Sequence, residues 1–176
     1  MSSIQDILST GVTTTEQATE AFDQLGCVSC EEMLGRWRGS ELRTGNAIDG
    51  LLEATGWYGK EFVSTEHVHP LLFGTANKVV KLGPRRLFSG MALAPFASKI
   101  PGLIGLFKLI RPLMQTRRSR ARLRMTEYRG KLSATMVYDN LPINDVFRKV
   151  DDNTLLGVMD LKGMPQPYYF VLRRDV

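Results

Sequence analysis

Hydrophobic and polar residues alternate along much of the chain in short segments, which is the pattern of β-strands with one buried face. Short turns rich in Gly, Asp and Asn separate the later segments, and such turns join antiparallel strands. The pattern predicts a mainly β protein built as a meander or barrel. The predicted strands cover 35–42, 61–64, 78–82, 85–88, 117–129, 132–138, 146–150, 155–160 and 168–174.

Two regions have a helical pattern instead. Residues 13–26 begin with threonines suited to an N-cap, carry acids in their first turns and end at Gly26, which predicts one N-terminal helix. From 98 to 115 apolar residues recur at helical spacing, with Lys108 and Arg111 on the opposite stripe. This predicts an amphipathic helix, preceded by a shorter one at 91–97. Residues 45–59 are Gly-rich and predict a loop with about one helical turn.

The chain of 176 residues has the length of one domain and an ordinary 43% of hydrophobic residues. We divide this single domain, 1–176, into an N-terminal helical segment (1–34), a first barrel part (35–90), a helical insertion (91–116) and a second barrel part (117–176). The N-terminus has no basic, apolar leader pattern, so we expect a cytoplasmic protein. The apolar stretch 91–114 is interrupted by prolines and basic residues, which argues against a membrane span.

Positive charge is concentrated in one stretch. The net charge is +5, but residues 99–131 hold ten basic residues and one acidic residue, so that the rest of the chain carries −4. An anionic partner is therefore expected to meet this stretch. Within it Arg118, Arg120, Arg122 and Arg124 alternate with smaller residues, so a strand here would place all four on one face.

The cysteines and histidines do not have the spacing of a structural metal site. Cys27 and Cys30 form an isolated Cys-x-x-Cys, whereas structural zinc takes four ligands and the two histidines, His67 and His69, lie far from the cysteines in the sequence. We expect no cofactor. A haem or metal site that uses His67 or His69 is kept as a third functional hypothesis.

Three stretches carry a family resemblance. They are 35–39 (GRWRG) with 56–60 (GWYGK), 69–73 (HPLLF), and 136–151 running into 156–160. The chain resembles the family named after its GxWxG signature, together with its companion C-terminal domain of unknown function. The resemblance covers about residues 20–174 and implies no activity.

A more distant resemblance is to lipocalin and fatty-acid-binding barrels. In those proteins a Gly-x-Trp on the first strand closes one end of the barrel and a C-terminal Arg packs on the indole. The resemblance implies that Trp37 is a structural plug, with Arg173 or Arg174 as its partner. It implies an antiparallel calycin-like β-barrel with an N-terminal helix and a helical lid near 91–115, and such barrels can hold one small ligand.

The leading functional hypothesis is the binding of an apolar or amphiphilic small molecule, such as a fatty acid, isoprenoid or phospholipid, under the lid. An inward Arg148 with Tyr138 would hold a ligand carboxylate, because a guanidinium matches two oxygens. An ion pair between Asp145 and Arg148 is the structural alternative. The candidate ligand-binding residues are Trp57, Tyr138, Arg148, Phe107 and Ile104.

The alternative hypothesis is an enzyme acting on a small apolar substrate in the same barrel. His69 and either Asp139 or Asp145 would serve as acid and base, with Tyr138 or Arg148 holding an oxyanion. A hydrogen-bonded structural histidine is the other interpretation of His69.

We also expect a peripheral contact between the basic stretch and an anionic membrane. Nucleic acid is not expected, because no exposed aromatics are interleaved with the arginines. The candidate contact residues are Lys108, Arg111, Arg118, Arg120 and Arg122.

Overall fold

A computed structural model describes residues 3–83 and 102–175. The helices are α1 (Ile4–Thr10), α2 (Thr15–Gln24), α3 (Leu51–Thr55) and α4 (Leu103–Ile110), and α4 continues into a 3₁₀ turn (Arg111–Met114). The strands are β1 (Gly35–Leu42), β2 (Trp57–Phe62), β3 (Val68–Thr75), β4 (Lys78–Lys81), β5 (Ala121–Tyr128), β6 (Lys131–Tyr138), β7 (Ile143–Asp151), β8 (Thr154–Leu161) and β9 (Tyr168–Arg174).

The strands form one antiparallel sheet in the order β2-β1-β9-β8-β7-β6-β5-β3-β4. A further pairing of β2 with β3 closes eight of them into a ring, with β4 outside it on β3. The junction between β3 and β5 is short, with Val68 opposite Ala121. The predicted mainly β, antiparallel, barrel-like fold is confirmed.

The two faces of each strand bury different partners. On β9, Phe170 and Leu172 belong to the core inside the ring, whereas Tyr169 and Val171 point outward. The outward set is covered by α1 and α2, whose Phe22 packs edge-on against Tyr169. Successive side chains on a strand point to opposite faces, so the sheet has one core inside the ring and a second core beneath the N-terminal helices.

The predicted N-terminal helix is confirmed as α2, and both α1 and α2 begin with a capping box. Strand β3 was not predicted, because it is buried along most of its length instead of alternating, and Pro70 interrupts its pattern. Strand β5 begins only at Ala121, so Arg118 and Arg120 precede it instead of lying on one strand face. The predicted strand 85–88 and helix 91–97 lie outside the described residues.

The two ends of the segment 83–114 lie next to each other. Leu82 is bridged to Gln115, and the Thr116 N–H donates to the Lys81 carbonyl. The described part of the insertion confirms a helix, α4, whose Phe107 reaches the interior core and lies 5.4 Å from the Phe73 ring. No helix among the described residues is long and apolar enough to cross a membrane.

Candidate functional site

A charged pair lies inside the ring. The Lys60 Nζ on β2 is 2.7 Å from Oδ2 of Asp145 on β7, and the two side chains are only 4% and 2% exposed. Lys60 also donates to the carbonyl oxygen of Pro70 at 3.2 Å. Both charges have thus left water almost completely, and each depends on the other for compensation.

Aromatic rings surround this pair. The Lys60 ammonium lies 5.0 Å from the ring centroid of Phe170, 5.6 Å from Trp57 and 5.9 Å from Tyr138, all within the range of cation–π attraction. The Tyr138 hydroxyl hydrogen-bonds the Asp145 carboxylate. Asp145 as acceptor and Lys60 and Tyr138 as donors thus form a small polar cluster inside an apolar core.

Burial changes the pKa values of Asp145 and Tyr138 in this polar cluster. Desolvation raises the pKa of Asp145, and the neighbouring Lys60 and Tyr138 oppose that rise. Burial and the adjacent carboxylate raise the pKa of Tyr138 well above its ordinary value. Tyr138 therefore remains a proton donor in hydrogen bonds at neutral pH.

A cavity of about 20 Å³ adjoins the pair. This volume suits one water, which needs about 10–15 Å³, and is far below the roughly 300 Å³ of a typical ligand pocket. Among the described residues, the Trp57 Nε1 and the Asp145 Oδ1 find no hydrogen-bond partner of regular geometry. The cavity is lined by Ile48, Leu52, Trp57, Lys60, Leu71, Tyr138, Asp145, Met159, Tyr168 and Phe170.

The cavity lies under the connection between β1 and β2, which includes α3. The buried Glu41 carboxylate accepts the backbone N–H groups of Gly50 at 2.5 Å and Leu52 at 2.7 Å, and so fixes the start of α3. Leu52 and Ile48 of this connection form part of the cavity wall. Helix α3 in turn contacts α4.

Glycines allow the two tryptophans to pack against neighbouring strands. A methyl group at Gly39 would overlap the Trp57 ring, and one at Gly59, where φ is +151°, would overlap the Trp37 carbonyl. The Trp37 indole is buried and donates to the Met33 carbonyl at 2.8 Å. Glycine and tryptophan in the 35–39 segment are thus explained by close strand contact.

Trp37 has the structural environment expected of a plug, but its partner is Arg174. The Arg174 guanidinium lies 4.2 Å from the indole centroid and donates to the carbonyls of Leu34 and Glu32. Arg173 has the opposite orientation on β9 and donates to the Ser40 hydroxyl. Of the two arginines implied by the resemblance, Arg173 is therefore the wrong one.

Of the predicted ligand-binding residues, the structure brings Trp57 and Tyr138 together at the cavity, and with them Asp145, one of the predicted acid–base residues. Phe107 is buried against Phe73, and Ile104 is half-buried on α4; neither lines this cavity.

The prediction for Arg148 is wrong. Arg148 lies three residues after Asp145 on β7, so it points to the opposite face. Its guanidinium lies 4.8 Å from the Phe22 ring beneath α2 and donates to the Tyr128 carbonyl at 2.8 Å. It neither faces the cavity with Tyr138 nor pairs with Asp145, whose partner is Lys60.

The other predicted acid–base residues lie elsewhere. Asp139 is exposed and pairs with Arg122 at 3.4 Å. His69 lies opposite Glu61 on the outer side of β3, and burial followed by the charge of Lys81 lowers its pKa. His67 is exposed and precedes β3.

No group of three or more potential His, Cys, Asp or Glu metal ligands occurs in ranges 3–83 and 102–175. Among the predicted anion-contact residues, Arg122 has a carboxylate partner and Arg120 is half-buried beside Gly83. Arg111 and Arg118 lie before β5, on the 3₁₀ turn and the segment after it. The Lys108 side chain lies outside what the structure describes.

Lys60 is a residue of the site that is not among those predicted from the sequence. Strand β2 carries register irregularities between Trp57 and Glu61, which turn Lys60 inward together with Phe62. The sequence does carry one signal for this irregularity. Trp57 and Phe62 are large apolar residues five positions apart, and on a regular strand they would point to opposite faces. A bulge must therefore lie between them if both face the core.

Comparison with known proteins places these features in a family. Family models match a GXWXG protein over residues 20–78 and a domain of unknown function, DUF4334, over residues 119–174. A solved structure, described as the crystal structure of a protein from Thermomonospora curvata, is 31% identical to this chain. The match covers 98% of this chain and 96% of that chain, with a TM-score of 0.73.

The chain belongs to the GXWXG family. The family signature corresponds to Gly35, Trp37 and Gly39, and its tryptophan is the plug that Arg174 covers. Lys60 lies in the GXWXG segment and Asp145 lies in the DUF4334 segment. The buried ion pair therefore joins the two matched parts of the chain. No protein of curated function shows a match.

Proposed function

We propose that this GXWXG protein binds one apolar or amphiphilic small molecule inside the ring of strands, with the polar group of that molecule at Lys60 and Asp145. The observation that carries the proposal is the buried ion pair beside a cavity lined by Trp57 and Asp145, whose Nε1 and Oδ1 atoms have no hydrogen-bond partner of regular geometry among the described residues. A ligand oxygen at this point would accept from the indole N–H. A ligand hydroxyl would also donate to the carboxylate.

Stability alone does not explain why the buried pair of Lys60 and Asp145 is present. Replacement of a buried ion pair by apolar residues is often neutral or stabilising by about 1–4 kcal/mol. The surrounding aromatic core already supplies apolar contacts for such a replacement. A role in recognising a polar group explains why charged residues occupy this part of the interior.

The charges also select the kind of polar group. Lys60 is already neutralised by Asp145, so a carboxylate ligand would bring an uncompensated negative charge next to Asp145. A hydroxyl, aldehyde or ketone adds hydrogen bonds without adding charge. Among fatty acids, isoprenoids and phospholipids, the proposal therefore favours a neutral isoprenoid or long-chain alcohol or carbonyl compound.

Occupancy requires the interior to expand from its volume of about 20 Å³. The part best placed to yield is the β1–β2 connection, because Leu52 on α3 is only half-buried and lines the cavity. Displacement of α3 would enlarge the cavity without breaking the ring of strands. An apolar ligand would then replace the contacts of Ile48 and Leu52 with contacts of its own.

The experiment is native mass spectrometry of protein purified from the producing cells, followed by titration of delipidated protein with dodecanol and dodecanoic acid. We expect a retained apolar adduct, and quenching or a shift of tryptophan emission on adding dodecanol. Protein that carries no adduct and does not respond to either probe would contradict the proposal.

A second candidate function is acid–base catalysis at the same site, favoured by the raised pKa of Asp145 beside two hydrogen-bond donors. Asp145 would accept a proton from the carbon next to a ligand carbonyl, while Lys60 and Tyr138 donate to the developing enolate oxygen. The proton would then return to carbon. This set replaces the predicted use of His69 and Asp139.

The test incubates a long-chain 2-ketone with the protein in D₂O and follows deuterium at the carbons next to the carbonyl by mass spectrometry. We expect exchange with the wild type and none above background with Asp145→Asn. Ketone that binds without exchanging would limit the site to binding.

A further inference from the structure

The outer surface formed by α4, its 3₁₀ turn and the following basic segment has no part in the interior site. We propose that this docking surface, defined by Leu109, Leu113, Arg111, Arg117 and Arg118, attaches the protein to an anionic lipid bilayer. The proposal rests on exposed apolar side chains close in sequence to arginines that have no carboxylate partner among the described residues, and it is independent of what the interior binds.

Two large apolar side chains project from this surface. Leu109 is 76% exposed and Leu113 is 88% exposed, four residues apart on a helical backbone that continues through Arg111. Both leucines therefore expose apolar surface within consecutive helical turns. Phe107, two residues before Leu109, is buried on the opposite side and anchors the helix to the core.

The arginines that lie close to the leucines in sequence differ from those further along the chain. Within ranges 3–83 and 102–175, Arg111, Arg117 and Arg118 have no carboxylate within ion-pair distance. Arg122 pairs with Asp139, and Arg124 pairs with Glu66 at 2.6 Å. Arginines without a carboxylate partner in the described ranges thus follow the exposed leucines closely in sequence.

This combination fits a bilayer better than a nucleic acid. Apolar side chains that enter the acyl boundary, flanked by arginines that meet anionic headgroups, are the usual elements of interfacial attachment. Binding of single-stranded nucleic acid uses exposed aromatic rings for base stacking. The large hydrophobic residues exposed on the described surface are aliphatic.

Vesicle flotation tests the proposal with full-length protein. We expect the protein to float with vesicles of phosphatidylcholine and phosphatidylglycerol at 0.1 M salt, and to remain unbound with phosphatidylcholine alone. At 1 M salt the Debye length falls from about 10 Å to about 3 Å, so flotation should be lost. The double variant Leu109→Ser, Leu113→Ser should bind at least tenfold less.

A matched pair of charge variants separates local from overall charge. Arg117→Gln, Arg118→Gln should weaken binding roughly 30-fold, since each basic residue near an anionic surface contributes about 1 kcal/mol. Arg122→Gln, Arg124→Gln changes the net charge equally but should weaken binding much less. Leu132→Ser, at a leucine 57% exposed on β6, is the control for lost apolar surface.

The proposal is overturned if anionic vesicles do not retain the wild type, if both arginine pairs have the same effect, or if Leu132→Ser matches the docking-surface leucines. Retention of an RNA oligonucleotide by the wild type, without retention of vesicles, would assign the surface to nucleic acid instead. Circular dichroism of each variant establishes that lost binding is not lost folding.

Discussion

Removal of Lys60 should destabilise the protein far more than removal of a surface lysine. In Lys60→Met the long apolar stem is kept, but Asp145, whose side chain is 2% exposed, loses its counter-charge at 2.7 Å. Breaking a buried pair from one side costs about 3–5 kcal/mol. Domains are stable by about 5–15 kcal/mol in total, so a large fraction of the stability would be lost.

Thermal unfolding followed by circular dichroism gives the measurement. At 2–4 °C per kcal/mol for a chain of this size, the melting temperature should fall by roughly 6–20 °C. The matched control is Lys81→Met, which breaks the partly exposed pair with Glu61 and should cost about 0–1 kcal/mol. The double variant Lys60→Met, Asp145→Val should recover most of the loss, because no buried charge remains.

The loss of stability in Lys60→Met should also depend on pH. Burial raises the pKa of Asp145 above its ordinary 3.8, so the folded state holds this proton more tightly than the unfolded state does. The contribution of Asp145 to stability is then fully present below about pH 3.8 and falls as pH rises through the folded-state pKa. Without Lys60 that pKa rises further, so the difference from wild type should be small at pH 4 and large at pH 8.

Equal melting temperatures for Lys60→Met and Lys81→Met would refute this reasoning. So would a double variant that is no more stable than Lys60→Met, because the loss would then arise from altered packing and not from an unpaired carboxylate.

Other substitutions test the supporting structure. Gly39→Ala places a methyl group against the Trp57 ring and should destabilise by about 1–3 kcal/mol, with a shifted tryptophan emission; unchanged emission would contradict the contact. Arg174→Met should cost about 1–3 kcal/mol in urea unfolding, and Arg173→Met less than about 0.5 kcal/mol; the reverse order would exclude Arg174 as the indole partner. Phe107→Ala should cost about 3–5 kcal/mol, and a negligible cost would show that α4 does not depend on this anchor.

Alternation along the strands was enough to predict the fold class, because its period of two is set by the backbone itself. The same rule could have corrected one site prediction. Asp145 and Arg148 differ by three positions within the continuous strand Ile143–Asp151, so they must point to opposite faces. The strand predicted from alternation begins only at 146, which leaves Asp145 outside it.

Lys60 could not be predicted as readily. A lysine in a short strand is normally solvent-exposed. Its inward orientation depends on the irregular register of β2, and its partner Asp145 lies 85 residues away. Closure of the ring by the β2–β3 pairing brings the two together, and nothing in the local sequence around either residue specifies that contact.

The preference between neutral and anionic ligands tests the central claim most directly. Dissociation constants for dodecanol and dodecanoic acid should be measured at pH 7.5 with wild-type protein and with Asp145→Asn, which removes the negative charge and leaves Lys60 in place. We predict that wild type prefers the alcohol at least tenfold and that Asp145→Asn shifts the preference towards the acid. Tighter binding of the acid by wild type, or a preference that Asp145→Asn leaves unchanged, would contradict a ligand site at the buried pair.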